Sequence, residues 1–82
     1  MSYEKVKQEK KTIIGTKQAV KAMKNGLVKE VYIALDIEER IIELARTTAQ
    51  ENNVSINYVE SKVDLGKACG LRLAASVVAI TV

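Results

Sequence analysis

The chain has 82 residues, 48% of them hydrophobic, with 13 basic and 10 acidic side chains, no histidine and a single cysteine. Such a length fits one small domain spanning residues 1–82, which buries roughly 60–65% of its unfolded surface and needs no staples. Lone Cys69 excludes an internal disulfide and a multi-cysteine metal centre, and the absence of histidine removes the usual zinc ligands and catalytic base.

The first segment, MSYEKVKQEKK, is polar and carries no signal-peptide core, so a cytoplasmic location is expected. Tyr3 to Lys11 reads as a short polar helix with few anchors. Thr12-Ile13-Ile14 is a brief strand broken by Gly15. Thr16 is placed to cap the following helix through its hydroxyl. In that helix Val20, Met23 and Leu27 keep the 3/4 spacing of a buried stripe, while Lys17, Lys21 and Lys24 keep it on another face. Asn25-Gly26 stops it.

Val31 to Leu35 is a continuous apolar run, as expected of a buried central strand. Glu38 to Asn52 is the clearest helix, with acids at its start and Ile41, Ile42, Leu44, Ala45 and Ala49 along one side. Ser55 to Val59 reads as a strand, Lys62 to Cys69 as a short helix closed by Gly70, and Leu73 to Val82 as a long buried strand. Alternation of this kind predicts an α/β fold with helices on both faces of a sheet. No apolar run approaches the roughly 20 residues of a membrane span.

The charge is unevenly spread. Lysines crowd residues 1–29, where only Glu4 and Glu9 oppose them, and acids dominate residues 30–60. This pattern fits either a basic face meeting an anion or a merely solvated lysine face. The start of the first long helix bears on the choice. Its first turn should favour Asp or Glu beside the unpaired N–H groups, yet it holds Lys17 and Gln18.

Chemistry-bearing groups are few. Asp36 and Asp64 each stand where a loop meets a helix, a capping position by default. The four glycines form neither a dinucleotide fingerprint nor a P-loop, and Cys69 reads as a small buried residue. No nucleophile–base pair remains, so an enzyme, a metal and a cofactor are all unexpected. Single-strand binders display aromatic platforms, but Tyr32 and Tyr58 lie inside strands. What remains is a helix N-terminus flanked by lysines and a glutamine, which suits phosphate and the base edges of a distorted duplex.

GTKQAVKAMKNG, the VYIALD strand and KVDLGKACGLRLAASVVAI together resemble the kink-turn-binding ribosomal proteins of archaea and eukaryotes, and most closely a short bacterial form of that family. The likeness covers essentially the whole chain. It implies a three-layer α/β/α sandwich around a mixed four-stranded sheet. It also implies binding to kink-turns, in which a bulge bends duplex RNA beside tandem sheared guanine–adenine pairs, in ribosomal RNA, a riboswitch or a ribonuclease RNA. A monomeric, ribosome-associated protein is the implied form.

The family's archaeal pattern starts the helix with Gly-x-Asn-Glu and places Lys three residues later. The matching positions here are Gly15, Thr16, Lys17, Gln18 and Lys21, with Lys24 a further phosphate contact. Glutamine accepts from guanine N–H groups more weakly than a carboxylate, so affinity below that of archaeal relatives is expected. A second contact, a loop against the unstacked bulge nucleotide, matches Leu71, Arg72, Leu73 and Ala74. Glu38 and Ile42 match an acid and an aliphatic residue that line the nucleotide's pocket in some relatives. On periodicity alone Ile42 fits plain core, and Leu71 and Leu73 fit strand packing. The rival reading is a protein-interaction subunit of a larger assembly.

Overall fold

Successive side chains of a strand point to opposite sides, so the apolar segments Val28–Ala34 and Val77–Thr81 present two faces to bury. A computed structural model, which describes residues 12–82, shows how this is achieved. The order is β1 (Thr12–Ile14), α1 (Thr16–Lys24), β2 (Val28–Ala34), α2 (Glu39–Glu51), β3 (Ser55–Val59), α3 (Lys62–Ala68) and β4 (Val77–Thr81). The strands form one sheet in the order β1-β4-β2-β3. β2 and β3 are parallel, and β4 runs antiparallel to both β1 and β2.

On one face Val31, Ile33, Val77 and Ala79 pack with Ala19, Ala22 and Met23 of α1 and with Ile42, Ala45 and Ala49 of α2. On the other, Ala34 and Val78 meet Leu65 of α3 and Ala75. The result is the expected three-layer α/β/α sandwich with a mixed four-stranded sheet.

Several boundaries differ from those read along the chain. The buried side of α1 is Ala19, Ala22 and Met23, with Val20 only half-buried. Leu27 is 49% exposed, because the helix ends at Lys24 and the stripe's geometry ends with it. Thr16 is the first helical residue; Gly15 is the N-cap, and among the described residues no side chain caps the helix. β2 starts at Val28 and stops at Ala34, so Leu35 lies beyond it. β4 starts at Val77, which leaves Leu73 in a loop. The helix expected over Tyr3 to Lys11 lies outside the described residues.

The strand directions bring the loops together. β1, β2 and β3 run the same way, so α1, α2 and α3 all start at one end of the sheet. The segment entering β4 returns to that same end. Hydrogen bonds close the rim there: Gly15 N–H to the Val77 carbonyl (3.0 Å), Ala34 N–H to Ser76 (2.9 Å) and Leu35 N–H to Val59 (2.9 Å). Sites of α/β proteins sit at such strand ends, where several loops converge.

Candidate nucleic-acid interface

Gly15 sets the local geometry at the start of α1. Its φ of 113° and ψ of 143° turn the chain sharply from β1 into the helix, a backbone conformation that side-chain-bearing residues rarely adopt. Its carbonyl accepts the Ala19 N–H at 2.9 Å and so opens the helical ladder. The missing Cβ also makes room for Gln18, whose Oε1 lies 2.6 Å from where a Cβ on Gly15 would stand.

The first turn has no acid and no side-chain cap, and it carries exposed Lys17. The partial positive charge of the helix start and the lysine therefore both call for an anion that the helix does not itself provide. Lys17, Gln18 and Lys21 line a shallow depression of ≈ 400 Å³. Lys24 continues the same helical stripe, exposed one turn further from the rim.

A second depression, of ≈ 300 Å³, lies on the other side of the β1–α1 junction. Ile14, Leu71, Arg72, Leu73 and Ala74 line it. Leu71 is half-buried against the α3 side of the sheet, whereas Leu73 is 79% exposed. An uncovered leucine beside a guanidinium offers an apolar surface and a cation together, which is what the face of a nucleobase and its phosphate need.

Of the other helix starts at this rim, α3 is closed by side chains, whereas α2 has the first-turn acid Glu39 but no side-chain cap. At α3, Ser61 Oγ accepts the Asp64 N–H (3.0 Å) and Asp36 Oδ1 accepts the Lys62 N–H (2.9 Å). Asp36 therefore caps a helix 26 residues further on, and Asp64 is not the cap but the residue being capped. At α2, exposed Glu38 pairs with Arg40 at 3.2 Å and lines neither depression. Ile42 is 4% exposed and belongs to the core against α1, so it presents no surface to a ligand.

Other polar groups are engaged away from α1. Arg46 donates to the Tyr58 hydroxyl at 3.0 Å and to Glu43 at 2.7 Å, and the bond to Tyr58 chiefly holds its pKa above the ordinary arginine value. Burial pushes the Cys69 thiol up, away from the reactive thiolate. Among the described residues no group of three His, Cys, Asp or Glu could hold a metal ion, and no helix is long and apolar enough to cross a membrane.

Residues 2–82 match the model of the ribosomal protein L7Ae/L30e/S12e/Gadd45 family. The chain belongs to that family. Similar curated proteins include an RNA-binding protein of Geobacillus sp. (strain WCH70), 48% identical over 80 residues that cover 98% of each chain. RNA-binding protein YbxF of Geobacillus stearothermophilus matches with the same identity and coverage. Among solved structures, a protein with unknown function from Bacillus halodurans C superposes with a TM-score of 0.79 at 22% identity, covering 87% of this chain and 71% of that one. That likeness concerns the fold.

Two contributors to the rim carried no sequence signal. Ile14 reads simply as a strand residue, and only its position next to Gly15 hints that it ends at a rim. Gly66 has the spacing of an ordinary helical glycine in LGKACG, yet a Cβ there would run into the carbonyl oxygen of Leu73.

Proposed function

We propose that this chain is a non-enzymatic RNA-binding protein that recognises kink-turns as a single, monomeric cytoplasmic domain, bound to ribosomal or other structured RNA. The observation that carries the reading is the uncapped start of α1, with Lys17, Gln18 and Lys21 exposed beside it and the open leucine of the 71–74 loop across the junction. Family membership and relatives named as RNA-binding proteins support it.

In this reading the start of α1 enters the groove at the guanine–adenine pairs. Gln18 meets a guanine edge, Lys17 lies beside it, and Lys21 and Lys24 neutralise phosphates. Leu73, Arg72 and Ala74 face the extruded base, and Leu71 supports them from below. Buried Ile42 stays outside the contact, while exposed Glu38 keeps the acid's place beside the nucleotide's pocket.

Phosphate contacts alone carry no sequence information, so a shape reader is recognised by its preference. The test is binding to a kink-turn and to a duplex of equal length whose guanine–adenine pairs are replaced by Watson–Crick pairs. The kink-turn should bind more tightly, and log K should fall with log salt at a slope of about −3, as expected for three or four neutralised phosphates. Equal affinities at physiological salt would leave only a solvated lysine face.

A further inference from the structure

The 71–74 loop has no regular structure of its own, yet it is fastened at three points, all on α3. Leu71 N–H donates to the Gly66 carbonyl at 2.8 Å, and Ala75 N–H donates to the Lys62 carbonyl at 3.0 Å. Between these bonds the Leu73 carbonyl lies against Gly66 so closely that any Cβ there would collide with it, and the Ala74 Cα would stand 3.3 Å from that Cβ. Gly66 is buried in the middle of the helix. Helix propensity alone favours alanine at such a position, so the approach of the loop is the physical reason for glycine.

The platform is itself fixed from the sheet. Asp36, just beyond β2, accepts the Lys62 N–H at 2.9 Å, and the carbonyl of that same Lys62 holds Ala75. Leu65 anchors α3 in the core on that face of the sheet. A chain of contacts thus runs from the end of β2 through Asp36 and α3 to the backbone of the loop.

We infer that Gly66 and Asp36 are positioning residues that set the placement of the 71–74 loop, and through it the selectivity for an extruded nucleobase, without either residue touching RNA. The inference rests on the kink-turn reading for its RNA half only. A loop held in place before binding avoids the ordering cost that a loose loop would incur, and a site displaced by about 1 Å loses much of its selectivity.

Gly66→Ala, Asp36→Ala and Asp36→Asn test it. In the free protein, amide hydrogen exchange at Leu71 and Ala75 should quicken about tenfold in the two alanine variants, as expected when a local opening becomes easier. Kink-turn affinity should fall about tenfold, within the usual cost of losing one base contact. Duplex affinity should not change, because Lys17 and Lys21 are untouched. Asp36→Asn keeps an acceptor oxygen and should stay within about threefold of wild type. If Gly66→Ala does not fold, the two Asp36 variants supply the same comparison.

Wild-type exchange at Leu71 and Ala75 in the alanine variants would overturn the positioning role, and so would equal losses on both RNAs. A wild-type protein without preference for the kink-turn would instead overturn the recognition reading, with the exchange rates still deciding the role of Gly66 and Asp36.

Discussion

The starts of α1 and α3 lie at the same end of one sheet, and of the two only that of α3 is completed by side chains of the described residues. At α3 the chain satisfies itself: Ser61 and Asp36 bond the first N–H groups, and Asp64 adds negative charge in the first turn. At α1 a glycine stands at the N-cap, no side chain of the described residues bonds the first turn, and a lysine adds positive charge. Equal physics therefore yields a closed start and an open one. The closed start supports the 71–74 loop from beneath, and the open start faces outward beside that loop. α2 is uncapped as well but has Glu39 in its first turn, whereas α1 lacks both a cap and an acid there, and an RNA phosphate and base edge would complete it.

The contrast can be broken most severely at Gly15. Gly15→Ala should lower unfolding free energy by about 1–3 kcal/mol, because the φ of 113° suits glycine and the new Cβ would press on Gln18. Urea unfolding gives the stability, and kink-turn binding should fall with the displaced Gln18. A variant of unchanged stability would show that the sharp turn into α1 is not a constraint.

Gln18→Ala separates reading from holding. It should cost about 1–3 kcal/mol on the kink-turn and little on plain duplex, with an unchanged thermal melt since Gln18 is exposed. Lys21→Ala should instead weaken both RNAs and reduce the salt slope by about one. If Gln18→Ala leaves kink-turn affinity intact while Lys21→Ala weakens every RNA alike, the base-reading role falls to another residue.

The smallest effect is also the sharpest in sign. Lys17→Glu gives α1 the acid that its first turn lacks and should stabilise the free protein by about 0.3–1 kcal/mol, measured by thermal melting at low salt. The same change places a carboxylate where phosphate would lie, so RNA binding should weaken. Stability and binding moving together would contradict an α1 start left open for an anion.

Much of this arrangement is legible in the sequence where the signals are local. β1, β3 and α2 follow from Gly15, from Ser55–Val59 and from the acid-led apolar pattern closed by Asn52. Lys17, Gln18 and Lys21 share a face by helical spacing alone, and their exposure follows. The extra length assigned to the last strand has a different origin. LAAS is apolar enough for a strand, but the Ala75–Lys62 hydrogen bond and the contact of Leu73 with Gly66 hold it as a loop. Those partners lie in the helix just before it and leave no periodic trace in the segment itself.

The inner side of α1 was hidden for another reason. Alanines 19 and 22 carry little hydrophobic signal, yet their small size lets α1 approach the sheet and α2, while larger Leu27 lies past the helix end. Ile14 joins the 71–74 loop only because β1 pairs with β4, a long-range register that spacing does not encode. Periodicity favoured core for Ile42 against the contact that the family likeness implied, and packing against α1 places it in the core.

The two helix starts can be compared in one titration. Backbone amide resonances of the free protein are followed by NMR as kink-turn RNA is added. The largest shifts should fall on Gly15, Thr16, Lys17 and Gln18, with a second group at Arg72, Leu73 and Ala74, while Ser61 to Asp64 change little. Shifts centred on Ser61 to Asp64, or on the acid-rich exposed side of α2, with α1 unmoved would contradict the account.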